Sequence, residues 1–180
     1  MKNLRQVIAD FEPTCEQETK DKALMLAFMD ANPDCLTREN PVAHFTASAW
    51  VVNPGRDKVL MVYHNIYDSW SWTGGHADGD ADLHAVAYRE ACEETGIAEL
   101  KPLGTGPASL EVITVDGHIK RGEYVSSHLH LNLTYLFEAD ETQALSVKED
   151  ENSGVCWIPQ DALAEYVSEP WMLKWVYVKL

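Results

Sequence analysis

Hydrophobic positions along the chain switch between helical and strand spacing, and the order of those switches predicts an α/β domain behind a helical extension. Residues 2–12 and 16–31 read as helices, the second carrying Ala23, Leu24, Leu26, Ala27 and Met29 on an apolar face, with Glu12-Pro13-Thr14 breaking between them. Asn32-Pro33-Asp34 ends the second helix, and a polar connector runs from Thr37 to Pro41. These segments define an expected helical extension over 1–40 and a domain over 41–180. His44 to Val52 and Lys58 to His64 are β-rich, and the Asn-Pro-Gly-Arg-Asp stretch between them has the composition of a hairpin turn. Trp70 and Trp72 then share one face of an extended segment.

Helical spacing returns from Leu83 to Thr95, and Gly96 stands where a left-handed cap belongs. Residues 108–115 and 120–126 predict a second hairpin around Asp116-Gly117-His118, with Arg121 and Glu123 on it. Between His128 and Phe137, strict alternation puts Leu129, Leu131, Leu133 and Tyr135 on one face and His128, His130, Asn132 and Thr134 on the other. That polar face suits either solvent or the wall of a substrate cleft. A final helix is expected from Gln160 or Asp161, and the aromatic tail over 169–178 reads as a segment that docks on the domain or on the partner in a homodimer.

The helix from Leu83 to Thr95 carries the chemistry. Leu83, Val86 and Ala87 form its apolar stripe, and Glu90 and Glu94 continue that stripe at helical spacing, so the acids point inward. Glu93 and Glu94 occupy the last turn, where each opposes the helix dipole by about 0.3 to 1 kcal/mol. The pair Glu90 and Glu94, four residues apart, repels by a few tenths more. Arg89, one turn before Glu93, is the only nearby base. Inward carboxylates need a partner, and clustered hard oxygens suit Mg²⁺ or Mn²⁺ better than zinc.

The run Gly75, Arg89, Glu90, Ala91, Glu93, Glu94, Gly96 and Ile97 resembles the Nudix box at every fixed position but one, the first glutamate of the box falling on Ala81. The likeness extends over about residues 40 to 165. It implies an α/β/α sandwich around a mixed β-sheet, with the box holding a divalent ion against a substrate diphosphate. The implied metal ligands are Glu90, Glu93 and Glu94 with a backbone carbonyl of the Gly74-Gly75 turn. Arg89 is expected to orient a box acid, Glu93 or another, and Asp80 and Asp82 flank the gap at Ala81 as substitutes. Glu93 or Glu94 would position or deprotonate the attacking water. By position, Glu151 is the best candidate for a further acid that completes the site or acts as base, ahead of Glu149 and Asp150. Trp72 matches the aromatic that often precedes the glycine turn, where it packs or stacks on a base; with His128 and His130 it is a candidate substrate contact.

The expected function is therefore a pyrophosphohydrolase acting on a small nucleoside diphosphate linked to a group X. Ala81 motivates an alternative, a non-catalytic ligand sensor of the same fold. An isopentenyl diphosphate isomerase shares a Trp-Thr and Gly-His in this place, but requires a cysteine where Gly74 stands.

Composition narrows the partners. A chain of 180 residues with 46% hydrophobic content supports one good core. A net charge of −15, with 14 scattered Lys and Arg, disfavours a nucleic-acid polymer and implies that a polyanionic substrate relies on metal. No stretch approaches the roughly 20 apolar residues of a membrane span, and acids fall where a signal peptide needs its apolar centre, so the expected location is cytoplasmic. Cys15, Cys35, Cys92 and Cys156 are widely spaced and predict neither disulfides nor a zinc site.

Overall fold

The computed structural model describes residues 3–120 and 122–180. Residue 2, the expected start of the first helix, and Arg121, expected on a hairpin, lie outside them. The helices are α1 (Leu4–Asp10), α2 (Glu16–Ala31), α3 (Leu83–Thr95), α4 (Leu163–Tyr166) and α5 (Pro170–Trp175). The strands are β1 (Ala43–Val52), β2 (Lys58–His64), β3 (Ser69–Ser71), β4 (Thr73–His76), β5 (Lys101–Pro102), β6 (Ser109–Val115), β7 (His118–Lys120), β8 (Glu123–Val125), β9 (His128–Glu138) and β10 (Asn152–Pro159). Eight strands form a mixed sheet in the order β10-β2-β1-β9-β5, with β3 on β2, β4 on β1 and β6 on β9.

The parallel pair β1 and β9 is the middle of this sheet. All of β1 is buried, as expected of a strand covered on both faces. One face presents Phe45, Ala47, Ala49 and Val51 beside Leu131, Leu133, Tyr135 and Phe137, and it packs against Leu83, Val86, Ala87 and Ala91 of α3. Leu4 and Ile8 of α1 and Met25 of α2 join the same core. The opposite face is divided. Trp50 and Val52, with Val59 and Met61 of β2, are roofed by Leu163, Val167, Met172, Val176 and Tyr177 from the C-terminal helices and tail. Its other half is polar, with His44, Thr46 and Ser48 beside His130, Asn132 and Thr134.

One expected pairing differs. Residues 109–115 pair with β9 rather than with 120–126, because β9 offers seven residues of continuous antiparallel register from Ser109–Thr134 to Val115–His128. His118–Lys120 pairs instead with Glu123–Val125 as the small β7–β8 hairpin, with Gly122 at φ 87°. The outer edge of β6 is covered by α2: Gln17 Nε2 donates to the Leu110 carbonyl at 2.9 Å, and the Val112 N–H donates to Asp21 Oδ2 at 2.8 Å. This occupies backbone groups that would otherwise template another strand.

The tail docks on its own domain, and its last turn ties three distant segments together. Lys179 Nζ lies 3.1 Å from Glu18 Oε1 and 3.0 Å from Glu111 Oε1, and both acids are fully buried. Glu111 also accepts from Asn132 Nδ2 at 3.1 Å and Thr134 Oγ1 at 3.0 Å, which links the ion cluster to the polar half of the sheet. Removing one member of such a cluster strands buried charge. Lys179→Met should lower the unfolding free energy by about 3 to 5 kcal/mol in urea titrations; a loss below about 1 kcal/mol would contradict this role.

Candidate active site

The site is built where α3 ends against β4. Asp82 caps the start of α3, accepting from the Ala85 N–H at 3.1 Å, and Gly96 closes the helix with φ 71°. Between these caps the helix must lie close enough to β4 to bring its acids under the strand. The two glycines of β4 make that approach feasible: a Cβ on Gly75 would fall 2.4 Å from Glu90 Cδ, and one on Gly74 would fall 2.6 Å from Ser48 Oγ. A side chain at Gly75 would displace the Glu90 carboxylate, and one at Gly74 would also press on the Ala47 carbonyl of β1 at 2.7 Å.

Glu90, Glu93 and Glu94 line one cleft of about 280 Å³. They differ in exposure: Glu94 is 5% exposed, Glu90 is half-buried and Glu93 is open to solvent. Glu94 accepts only long hydrogen bonds, from the Gly74 N–H and from Asn152 Nδ2, each at 3.4 Å. Such contacts do little to offset the loss of water. Burial accordingly pushes the Glu94 carboxyl up to about 8; the Gly74 N–H works against this, while the charges of Glu90 and Glu151 add to it. Burial also raises Glu90, with Glu93 contributing.

Glu151 reaches the same cleft from the turn before β10. Burial works against its charge, but a 3.0 Å hydrogen bond from Lys148 Nζ and the positive field of Lys148 and Lys120 hold its carboxyl below the usual range. The cleft thus contains one carboxyl held near neutrality and one held ionised. Asn152, next in sequence, is buried with its Oδ1 lacking a partner among the described residues.

Arg89 does not join the cleft wall, and its partner is Asp80 rather than Glu93, with Arg89 Nη1 3.8 Å from Asp80 Oδ2. Both side chains are nearly half exposed, so the pair serves orientation more than stability. Asp82 is committed to capping α3. The basic groups on the cleft were missed by sequence reasoning: Lys120, Lys148 and Arg38, the last paired to Asp78 through two hydrogen bonds, of which Arg38 Nε to Oδ1 is 2.8 Å. These cations stand among the acids Asp78, Glu90, Glu93, Glu94, Glu151 and Glu169 of the same lining, and Arg38 and Lys148 are paired to two of them, so the cleft stays acidic on balance, in keeping with the net charge.

Trp72 lines the cleft but is buried, its ring edge-on to Tyr177 at 5.4 Å. His130 borders both the cleft and a neighbouring cavity of about 340 Å³, whereas His128 borders only the latter. His76, at the end of the Gly-Gly strand, borders both. Burial, with the charge of Arg38, lowers His76 to about 3, and burial lowers His130 likewise. His44 and His76 went unremarked as site residues in the sequence. The alternation of His44, Thr46 and Ser48 on β1, matching His130, Asn132 and Thr134 on β9, was the signal available.

Residues 42–177 match the family model described as NUDIX domain. The chain belongs to the NUDIX family. No curated protein sequence matches it. A NUDIX-family hydrolase from Clostridium perfringens shares its fold at TM-score 0.51 and 21% identity, covering 68% of this chain and 85% of that one. A C. elegans Ap4A hydrolase does so at TM-score 0.51 and 14% identity, over 75% and 93% of the two chains. The NUDIX domain of Shewanella oneidensis NrtR gives TM-score 0.51 and 17% identity, over 75% and 84%. Relative to the NUDIX pattern, Ala81 removes one box glutamate, and Asp80, its immediate neighbour, stands in the ion pair with Arg89.

The raised pKa of Glu94 has a sign that can be measured. A carboxyl whose folded pKa exceeds its unfolded value of about 4.3 favours folding below that value, and the contribution is lost as pH rises through about 8. In EDTA, Glu94→Gln should therefore gain on the native protein in unfolding free energy, read from urea titrations, as pH rises from about 5 to 8.5, by an amount on the order of a few kcal/mol. A difference independent of pH would refute the assignment.

Proposed function

We propose that this NUDIX protein hydrolyses a diphosphate linkage in a small nucleoside diphosphate-X compound, by attack of water at phosphorus with the help of a divalent ion. The observation that carries the reading is the convergence of Glu90, Glu93, Glu94 and Glu151 on one cleft whose glycine strand is fitted against Glu90. The donors are hard oxygens, which fit Mg²⁺ or Mn²⁺, and Glu90, Glu93 and Glu94 with a carbonyl of Gly74 or Gly75 would hold the ion. When bound, such an ion neutralises diphosphate charge and lowers the pKa of the attacking water.

The chain's own groups divide the remaining work. Glu151, kept ionised by Lys148, is suited to accept a proton from water. Lys120, Lys148 and Arg38 surround the cleft and would meet phosphate charge, while Thr46, Ser48 and Asn132, hydrogen-bonded to one another, give it a fixed polar floor. Tyr67, exposed and stacked on His64 at 4.4 Å, is better placed than the buried Trp72 to meet a base. Two of the structural neighbours, the Ap4A hydrolase and the NrtR domain complexed with ADP ribose, are named with nucleotide ligands, which supports this substrate class. Ala81 favours a second reading, a ligand-binding protein without turnover. No described helix is long and apolar enough to cross a membrane.

A panel of dinucleotides and nucleoside diphosphate derivatives, assayed for phosphate or nucleotide release with Mg²⁺ or Mn²⁺, separates the two. The expected result is turnover of at least one compound, abolished by EDTA and reduced at least about 100-fold in Glu94→Gln. Thermal stabilisation by a panel member with no turnover would replace hydrolysis with the sensor reading.

A further inference from the structure

Five of the chain's histidines gather beside the acidic cleft, and the proposed hydrolysis needs none of them as metal ligands. Three sit on adjacent strands: His44 on β1 faces His130 on β9 in register, and His76 on β4 lies opposite Thr46, one pleat further along β1. Their rings are 4.9 to 5.2 Å apart between centroids. One ring nitrogen from each lies within 4.8 Å of the other two.

His44 is the informative member. It is 4% exposed, and its Nδ1 lies 3.2 Å from the Asn40 carbonyl, which can only accept. The proton is therefore on Nδ1, and Nε2 is left as a bare lone pair. That Nε2 is buried with no partner among the described residues. A backbone carbonyl behind one imidazole nitrogen and an unused lone pair on the other is the usual arrangement of a metal-ligating histidine. Asn40 is itself fixed, its Oδ1 accepting from the Val42 and Ala43 N–H groups at 3.1 and 3.2 Å. A purely hydrogen-bonded cluster would have used the His44 nitrogen. His128 does show such use: it donates from Nδ1 to the Ser126 carbonyl at 2.8 Å and turns Nε2 to His130 at 3.2 Å.

We propose that His44, His76 and His130 form a second metal site, for a borderline transition ion of the zinc class, on the wall between the acidic cleft and the neighbouring cavity. Three imidazoles select such an ion over Mg²⁺, which prefers the carboxylate oxygens of α3. Tetrahedral coordination at about 2.0 to 2.1 Å needs nitrogens about 3.3 Å apart, so ring rotation must draw the three together. Only three protein ligands are supplied, which leaves a fourth position for water or for a ligand group, as in open zinc sites. His76 and His130 border both cavities, so that position is reachable from either side. Cysteine spacing had suggested no zinc site, and histidine spacing along the chain gave no sign of this one, because the three ligands come from strands far apart in sequence.

The test uses the full chain, stripped with EDTA, dialysed, and then held in millimolar Mg²⁺ to occupy the oxygen ligands. Zn²⁺ titrated by calorimetry should bind one ion per chain. Co²⁺ should give the intense visible bands of four- or five-coordinate cobalt, and one equivalent of Zn²⁺ should bleach them. His76→Gln and His130→Gln, each checked for native circular dichroism and melting, should lose at least about 100-fold in Zn²⁺ affinity, beyond the range for disturbing an outer-shell partner. Glu94→Gln should keep the site. Unchanged Zn²⁺ binding in both histidine variants, loss of binding in Glu94→Gln, or no stoichiometric binding would each overturn the proposal. The readout needs no substrate, so it stands apart from the hydrolase reading.

Discussion

The geometry of this protein turns on one carboxylate held against a glycine strand. Glu94 sits at the C-terminal end of α3, where the helix dipole disfavours it, in a place that water scarcely reaches, with only two long hydrogen bonds. Lys148, whose positive charge favours ionised Glu94, is engaged with Glu151. Everything that positions Glu94 is arranged to bring it there anyway: the apolar stripe of α3 seats the helix on β1, and Gly75 leaves room for the Glu90 side chain one turn before Glu94. A local electrostatic cost maintained by good packing is the pattern that supports the cation site proposed above.

The same economy shapes the opposite face of the sheet. The parallel β1–β9 pair places matched rows of polar side chains opposite each other, and these rows floor the cleft at one end while apolar residues anchor the C-terminal tail at the other. Thr46 and Ser48 donate to Asn132 Oδ1 at 2.9 and 3.0 Å, and Asn132 donates onward to Glu111, which Lys179 meets from the tail. Cleft floor, N-terminal helix and C-terminal turn are thus parts of one hydrogen-bonded and ionic assembly. The helices that lie outside the box are structural supports of the site, not appendages to it.

What was legible in the sequence was what local spacing dictates. The helix over Leu83–Thr95, its Gly96 cap and the inward stripe ending at Glu94 all follow from a 3.6-residue period, and the alternation in β9 follows from a two-residue period. Pairing partners were not legible, because a strand's own residues say which face is apolar but not which edge it meets; β6 found β9 rather than the nearer 120–126. Nor were contacts across long separations. Lys148 beside Glu151 is local, yet its delivery to the cleft with Lys120 and Arg38 depends on loops that meet only in three dimensions. Asp80 taking Arg89 depends on a loop bend at Asp78, where φ is 47°, that no periodicity encodes.

The most direct test is whether cation binding takes a proton from Glu94. At pH 7 a carboxyl with a pKa of about 8 is mostly protonated, and it must ionise to become a ligand. Calorimetric titration of Mn²⁺ in buffers of different ionisation enthalpy counts that proton. About one proton per ion should be released at pH 7, and almost none in Glu94→Gln. Mn²⁺ binding that releases no proton in the native protein would show that Glu94 is already ionised and contradict its role as a neutral carboxyl awaiting a cation.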